Sequence, residues 1–123
     1  MGAERRRALG LRGEEAVEHW YRDRGYAIVA RNWRCEVGEI DLIVQAVPGT
    51  VALCEVKTRS STAYGSPFDA VTAAKRRRLR RLAARWLASG AAGSGYVQIR
   101  FDVAAVWAGP SGTLVVEVIE EAF

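Results

Sequence analysis

The chain is short of the residues that staple, anchor or arm a protein in the commonest ways. Its two cysteines, Cys35 and Cys54, are too few for a disulfide framework. They fall on different predicted elements with no metal-ligand spacing, so Cys54 reads as a small core residue and Cys35 as incidental. No apolar run approaches the ~18 residues of a membrane span. The opening Met1-Gly2-Ala3-Glu4-Arg5-Arg6-Arg7 lacks the apolar stretch of a signal peptide. There is one histidine, His19, and no Ser-His-Asp set, glycine-rich phosphate loop or zinc cluster. Lysine is scarce too: 16 of the 18 cations are arginine, and lysine occurs only at 57 and 75. These absences disfavour a secreted miniprotein, a membrane protein and a multidomain enzyme. They leave one domain, residues 1–123, suited to the reducing cytoplasm.

What is present is globular. Half of the 123 residues are apolar, 26% are charged and four are tryptophan. A chain of this size buries roughly two-thirds of its surface, enough for a core, and the tryptophans belong there or at an interface. The net charge of +4 is unevenly placed. Lys75, Arg76, Arg77, Arg78, Arg80, Arg81 and Arg85 lie between residues 75 and 88 with no acid among them, so the rest of the chain carries −3. One basic helix on an acidic body points to a polyanion, although a solvated helix face is the plainer reading.

The pattern predicts the order αβββαββ. Arg6–Arg24 is a helix that stops before Gly25. Leu11, Glu14, Val17 and Tyr21 share one of its stripes, and Glu15, Glu18, His19 and Arg22 share a polar one, with His19 exposed. Tyr26–Trp33, Val37–Val47 and Thr50–Lys57 are strands, the last two joined through Pro48-Gly49, a pair that suits a type II turn. So short a turn makes them antiparallel neighbours. Thr58–Asp69 is a longer polar connection of the kind that often carries function. Ser66-Pro67, with Asp69, opens a helical region whose main helix runs to about Leu87 and buries Leu79, Leu82, Ala83, Trp86 and Leu87. Ala88–Gly95 reads as a flexible link, and Val97–Trp107 and Thr113–Ile119 as strands. The helix between the third and fourth strands is long enough for a crossover, giving a parallel pair within a mixed sheet.

The middle hairpin puts acids where a core should be. Alternation places Glu39, Asp41, Ile43 and Gln45 on one face of its first strand, with Ile40, Leu42 and Val44 on the other. On its second strand, Val51, Leu53, Glu55 and Lys57 oppose Ala52, Cys54 and Val56. A carboxylate drawn out of water without a partner costs several kcal/mol, or shifts its pKa until it is neutral. A hard divalent cation removes that penalty, and oxygen ligands suit Mg²⁺. The plainer alternative is an ion pair made by Lys57. Lysine in so arginine-rich a chain hints that a compact amine is wanted there.

The motifs Gly13-Glu14-Glu15-Ala16, Gly25-Tyr26, Arg31-Asn32, Gly38-Glu39-Ile40-Asp41-Leu42-Ile43, Cys54-Glu55-Val56-Lys57-Thr58-Arg59, Lys75 and Arg100-Phe101-Asp102-Val103 resemble the bacterial YraN-like family. Through it the chain resembles the restriction-endonuclease-like, PD-(D/E)-x-K nucleases, which include archaeal Holliday-junction resolvases and tRNA-splicing endonucleases. The resemblance implies an α/β, three-layer restriction-endonuclease-like fold, with a central mixed sheet flanked by helices. It also implies a site made of Glu14, Asp41, Glu55 and Lys57. Glu15 is the other possible helix acid, and the stripe favours Glu14. Ile40 stands where the superfamily has its proline, and Cys54 where the family often has valine.

The activity implied is metal-dependent hydrolysis of phosphodiester bonds, directed to structure rather than sequence, with DNA the first expectation. Asp41, Glu55 and the Val56 carbonyl would hold Mg²⁺ or Mn²⁺. Glu14 would complete the shell or support a second ion. Lys57 would position the attacking water, help to deprotonate it and stabilise phosphate charge. Arg59 and the helix cations Lys75, Arg76, Arg77, Arg78, Arg80, Arg81 and Arg85 would hold the nucleic-acid backbone. Glu39 is a candidate supporting acid or a surface ion pair, and Asp102 is expected to pair with Arg100 or a helix end. A branched substrate needs two sites, which a homodimer would supply. Two rivals stand beside this reading: a non-catalytic nucleic-acid-binding module of the same fold, and an adaptor docking its basic helix on an acidic protein.

Overall fold

The structure is a computed structural model that describes residues 2–59, 71–93, 95, 96 and 98–123. Its elements are α1 (Ala3–Arg22), β1 (Ala27–Cys35), β2 (Gly38–Ala46), β3 (Thr50–Arg59), α2 (Ala73–Ala88), β4 (Gln98–Ala108) and β5 (Leu114–Ile119). The order αβββαββ is the one the hydrophobic pattern predicts. Among the described residues no helix is long and apolar enough to cross a membrane.

The sheet runs β1-β2-β3-β4-β5. All neighbours are antiparallel except β3 and β4, which pair in parallel from Thr50–Gln98 to Arg59–Trp107. A parallel pair needs a crossover between its strands, and α2 lies in that crossover. Each face of the sheet is closed by one helix, making three layers. On one face Val17 and Tyr21 of α1 pack on Leu42, Val44, Ala52, Cys54, Ala104 and Val106. On the other, Leu79, Leu82, Ala83 and Trp86 of α2 pack on Ile40, Ile43, Val51, Leu53 and Phe101. The α2 stripe is the one its 3.6-residue period predicts. Helix α1 ends as expected before Gly25, whose φ of +87° suits glycine.

Four local expectations are corrected. Leu11, expected on the buried stripe of α1, is 53% exposed, because burial of that helix begins only at Gly13. Glu18, expected on the polar stripe, is buried. Arg31 of β1 grips it with Nε at 3.0 and 2.9 Å and Nη2 at 2.8 Å, which offsets the cost of removing its charge from water. Ile40 does not share a face with Leu42 and Val44 but packs with Ile43 toward α2. The alternation breaks at Asp41, which lies with Asn32 between the pairs Arg31–Leu42 and Trp33–Ile40, and Asn32 has a left-handed φ of +48°. Finally, the Val47–Pro48 peptide is cis and the Gly49 N–H donates to the Ala46 carbonyl at 2.9 Å. Pro48 is therefore third in the turn, not second as in type II. The expected Ser66-Pro67 helix start and most of the polar connection lie outside the described residues. Within the described residues helix α2 has Thr72 as its cap, whose Oγ1 accepts from the Lys75 N–H at 3.2 Å.

One buried acid ties three parts of the fold together. Asp102 of β4 accepts from Arg100 Nε at 2.8 Å and Nη2 at 2.9 Å, from Tyr21 Oη of α1 at 2.6 Å and from the Glu121 N–H at 3.1 Å. This is the pairing with Arg100 that the sequence suggests. Removing one member of such a pair strands a buried charge, so Asp102→Ala should cost about 3–5 kcal/mol. Tyr21→Phe should cost about 1–2 kcal/mol. Urea unfolding checks both, and an Asp102→Ala loss below about 1 kcal/mol would refute this role.

Candidate active site

The β2–β3 ladder ends at the pair Leu42–Cys54. One residue further along β2, the Asp41 side chain takes over from the ladder. Its Oδ2 accepts from the Val56 N–H at 2.8 Å. The two residues flanking Val56 turn to the α2 side, where Glu55 is buried. Lys57 Nζ lies 3.2 Å and Lys75 Nζ 2.9 Å from the same oxygen, Glu55 Oε1. The only two lysines of the chain thus converge on one atom, from β3 and from the first turn of α2. Both side chains are more than four-fifths buried. Asp41, Glu55, Lys57 and Lys75 line a cleft of about 420 Å³ together with Glu39 and Arg78.

The electrostatics separate these groups. Burial, and then the charge of Glu55, push the Asp41 carboxyl up to about 7, against the Val56 N–H that holds it down; Glu14 and Glu39 add to the rise. Burial and the adjoining Lys75 lower the Lys57 amine, against the pull of Glu55. Burial opposes charge on Lys75 as well, but Lys57 and Glu55 outweigh it and its pKa is raised. Of the two amines, Lys57 is the one whose charge its surroundings disfavour.

Glu14 stands apart from the cleft lining. Its Oε2 accepts from Asn32 Nδ2 at 3.2 Å, and burial raises its pKa, with smaller pushes from Glu39 and Glu18. It is close enough to Asp41 to raise that residue's pKa. Neighbouring Glu15 is exposed. Gly13 lets α1 approach β3, since a Cβ there would lie 2.2 Å from Thr58 Oγ1. Glu39 lines the cleft and also pairs with Arg34 at 2.8 Å on the surface, so both expectations for it describe part of its place. Arg59, exposed at the end of β3, donates to the Thr58 carbonyl.

The basic helix is not one surface. Lys75 turns into the cleft. Arg76 and Arg80 lie over the Phe123 ring, Arg80 also over Phe101, and Arg85 pairs with Glu36. Arg77, Arg78 and Arg81 line a neighbouring groove. Sequence reasoning counted Lys75 with the arginines as a backbone contact and did not foresee its contact with Glu55. The signal was its residue type, since it shares with Lys57 alone the compact amine.

Most buried acids here have a cation: Glu18 has Arg31, Asp102 has Arg100 and Glu55 has the lysines. Asp41 and Glu14 are half-buried and, among the described residues, make no ion pair. Also among the described residues, no three His, Cys, Asp or Glu side chains are grouped to hold a metal by themselves. Asp41 and Glu55 instead offer two carboxylates beside the Val56 backbone, with Asp41 Oδ1 and Glu55 Oε2 making no hydrogen bond to a described residue. One or two carboxylates with water in the remaining positions is the usual complement of Mg²⁺.

A five-stranded mixed sheet between two helices, with an acid on β2 and Glu-x-Lys on β3, is a restriction-endonuclease-like architecture. The profile of the uncharacterised protein family UPF0102, the YraN-like family, matches residues 13–106, and the chain belongs to that family. It is 46% identical over 118 residues to a UPF0102 protein of Nocardia farcinica, covering 96% of this chain and 91% of that one. It is 48% identical over 117 residues to one of Symbiobacterium thermophilum, covering 95% and 97% of the two chains. A UPF0102 protein of Frankia casuarinae is also 48% identical, over 116 residues, 94% of this chain and 96% of its own.

The raised Asp41 pKa has a signed consequence for the metal-free protein. The folded chain keeps a proton on Asp41 that the unfolded chain releases near the ordinary value of 3.8, and gives it up only near 7. The folded state binds more protons in that window, so stability falls as the pH rises through it. In EDTA, Asp41→Asn should be more stable than the parent by on the order of 1–2 kcal/mol at about pH 8, once solvent screening is allowed for. The gain should vanish by about pH 4. Denaturation midpoints against pH check this, and parallel curves would contradict it.

Proposed function

We propose that this protein is a divalent-metal-dependent nuclease that hydrolyses phosphodiester bonds in nucleic acid. The observation that carries the reading is the half-buried Asp41, which among the described residues is left without a cation while the buried acids Glu18, Glu55 and Asp102 each have one. Its pKa is raised, and a lysine pair stands beside it. Strongly shifted groups in a cleft mark functional sites more often than structural ones. A pure binder of nucleic acid gains nothing from uncompensated carboxylates facing phosphate.

Asp41 Oδ1, Glu55 Oε2 and the Val56 carbonyl would hold Mg²⁺ or Mn²⁺, with Glu14 supporting them from α1. A bound ion would supply Lewis-acid stabilisation of charge on the phosphate. The rest belongs to the chain. Lys75 orients Glu55 through Oε1, and burial together with the adjoining Lys75 lowers the Lys57 amine. Lys57 is thereby fitted to position a water and accept its proton. Arginines beside the cleft hold the backbone through its charge, which favours recognition of structure over sequence. DNA is the first substrate class. A branched DNA would call for two sites, and a homodimer would supply them.

A cleavage screen tests this. Purified protein is given labelled single-stranded, duplex, flap and four-way-junction DNA, and RNA, with Mg²⁺, Mn²⁺ or EDTA. The expected result is metal-dependent cleavage of at least one substrate, absent in EDTA and in Asp41→Asn, and slowed about 10²–10⁴-fold in Lys57→Ala. Cleavage that Asp41→Asn retains, or binding without cleavage under every metal, would overturn the reading. The second outcome would favour a binding module, and no binding at all an adaptor.

A further inference from the structure

Helix α2 carries seven cations, but the structure has already used four of them. Lys75 is on Glu55. Arg85 is on Glu36. The guanidinium groups of Arg76 and Arg80 each lie 5.4 Å from the centre of the Phe123 ring, and Arg80 is equally far from Phe101. Three remain. Arg77, Arg78 and Arg81 are exposed and, among the described residues, pair with no acid. At spacings of one, three and four residues they share one side of the helix.

These three arginines line a groove of about 540 Å³ with Glu36, Val37 and Ala74. Its one acid, Glu36, is neutralised by Arg85. Ala74 adds no bulk. Arg78 lines both this groove and the cleft of Asp41 and Glu55, so the two depressions adjoin there. From Lys75 to Arg81 the axis advances roughly 9 Å. Asp41, which among the described residues has no cation, thus sits at one end of a trough, and cations without acids at the other.

We propose that the Arg77–Arg78–Arg81 groove is a phosphate subsite that seats the backbone of a nucleic-acid strand next to the bond presented at Asp41. This rests on the nuclease reading and deepens it. The substrate is a strand that runs on past the cleft along α2, and a lone phosphodiester would leave the groove empty. Lys75 and Arg85 are held on acids, and Arg76 and Arg80 lie against Phe123, so the strand is assigned to the remaining three. Planar guanidinium groups suit phosphate, which explains why this side of α2 has arginine while the cleft has lysine.

The test separates local from diffuse charge and binding from chemistry. Binding of a short fluorescent DNA strand is followed by anisotropy in EDTA at several salt concentrations. Arg77→Gln/Arg81→Gln is compared with Arg5→Gln/Arg7→Gln, which removes the same charge from exposed positions on α1. The groove variant should lose about tenfold or more in affinity, and its salt slope should fall by about 0.7 for each phosphate that it no longer neutralises. The α1 variant should stay within about twofold. Equal losses in the two variants, or no binding by the parent chain, would overturn the subsite. So would displacement of the strand by polyglutamate as readily as by unlabelled DNA, which would assign the groove to an acidic protein. Binding through the groove without cleavage in the screen would leave the subsite standing and remove the nuclease. Cleavage at unchanged KM in Arg77→Gln/Arg81→Gln would do the reverse.

Discussion

Charge withdrawn from water must be compensated, and the placement of compensated and uncompensated charge organises this molecule. Glu18, Asp102 and Glu55 each have a cation, and their contacts join separate elements: Arg31 ties Glu18 of α1 to β1, Lys75 ties Glu55 of β3 to α2, and hydrogen bonds from Tyr21 and the Glu121 N–H tie Asp102, already paired with Arg100 in β4, to α1 and the C-terminal segment. The Glu18 and Asp102 pairs are structural, whereas Glu55 meets both lysines through Oε1 alone and keeps Oε2 for a ligand. Asp41 and Glu14 have no such partner among the described residues, and burial, with neighbouring carboxylates, raises their pKa values. Arg77, Arg78 and Arg81 mirror them in the opposite sign. A cation for one end of the trough and a phosphate for the other would satisfy both, which is the logic of a metal-dependent nuclease.

The fold creates that imbalance by interrupting its own regularity. The β2–β3 ladder stops just before Asp41, so its carboxylate can take a backbone N–H in place of an ion pair. Asn32, left-handed beside it, breaks the alternation of β1 and donates to Glu14. Gly13 lets α1 come up against Thr58. The parallel β3–β4 pair requires a crossover, and the helix within it delivers Lys75 to Glu55. Two amines thereby converge on one carboxylate oxygen, from β3 and from α2.

Much of this is legible in the residues. The αβββαββ order, the antiparallel hairpin and the parallel crossover follow from periodicity and connection length, and the α2 core stripe follows from spacing alone. The acids of β2 and β3 announce themselves by sitting in otherwise apolar strands. Periodicity fails where pairwise chemistry overrides it. Glu18 reads as solvent-facing because a helical wheel knows nothing of Arg31. Ile40 reads as a partner of Leu42 because strict alternation cannot foresee a left-handed residue on the next strand. Lys75 reads as one more cation of a basic helix because its partner lies 20 positions away, on a strand reached only through the tertiary fold.

Everything in this picture turns on Asp41 and Glu55 forming a divalent-cation site. Paramagnetic broadening of backbone NMR signals by Mn²⁺ tests that directly, without any assumption about substrate. Low Mn²⁺ should selectively erase the amide signals of Val56 and its neighbours, Mg²⁺ should restore them, and Asp41→Asn should abolish the effect. Broadening that spares Val56, or that persists unchanged in Asp41→Asn, would contradict the site.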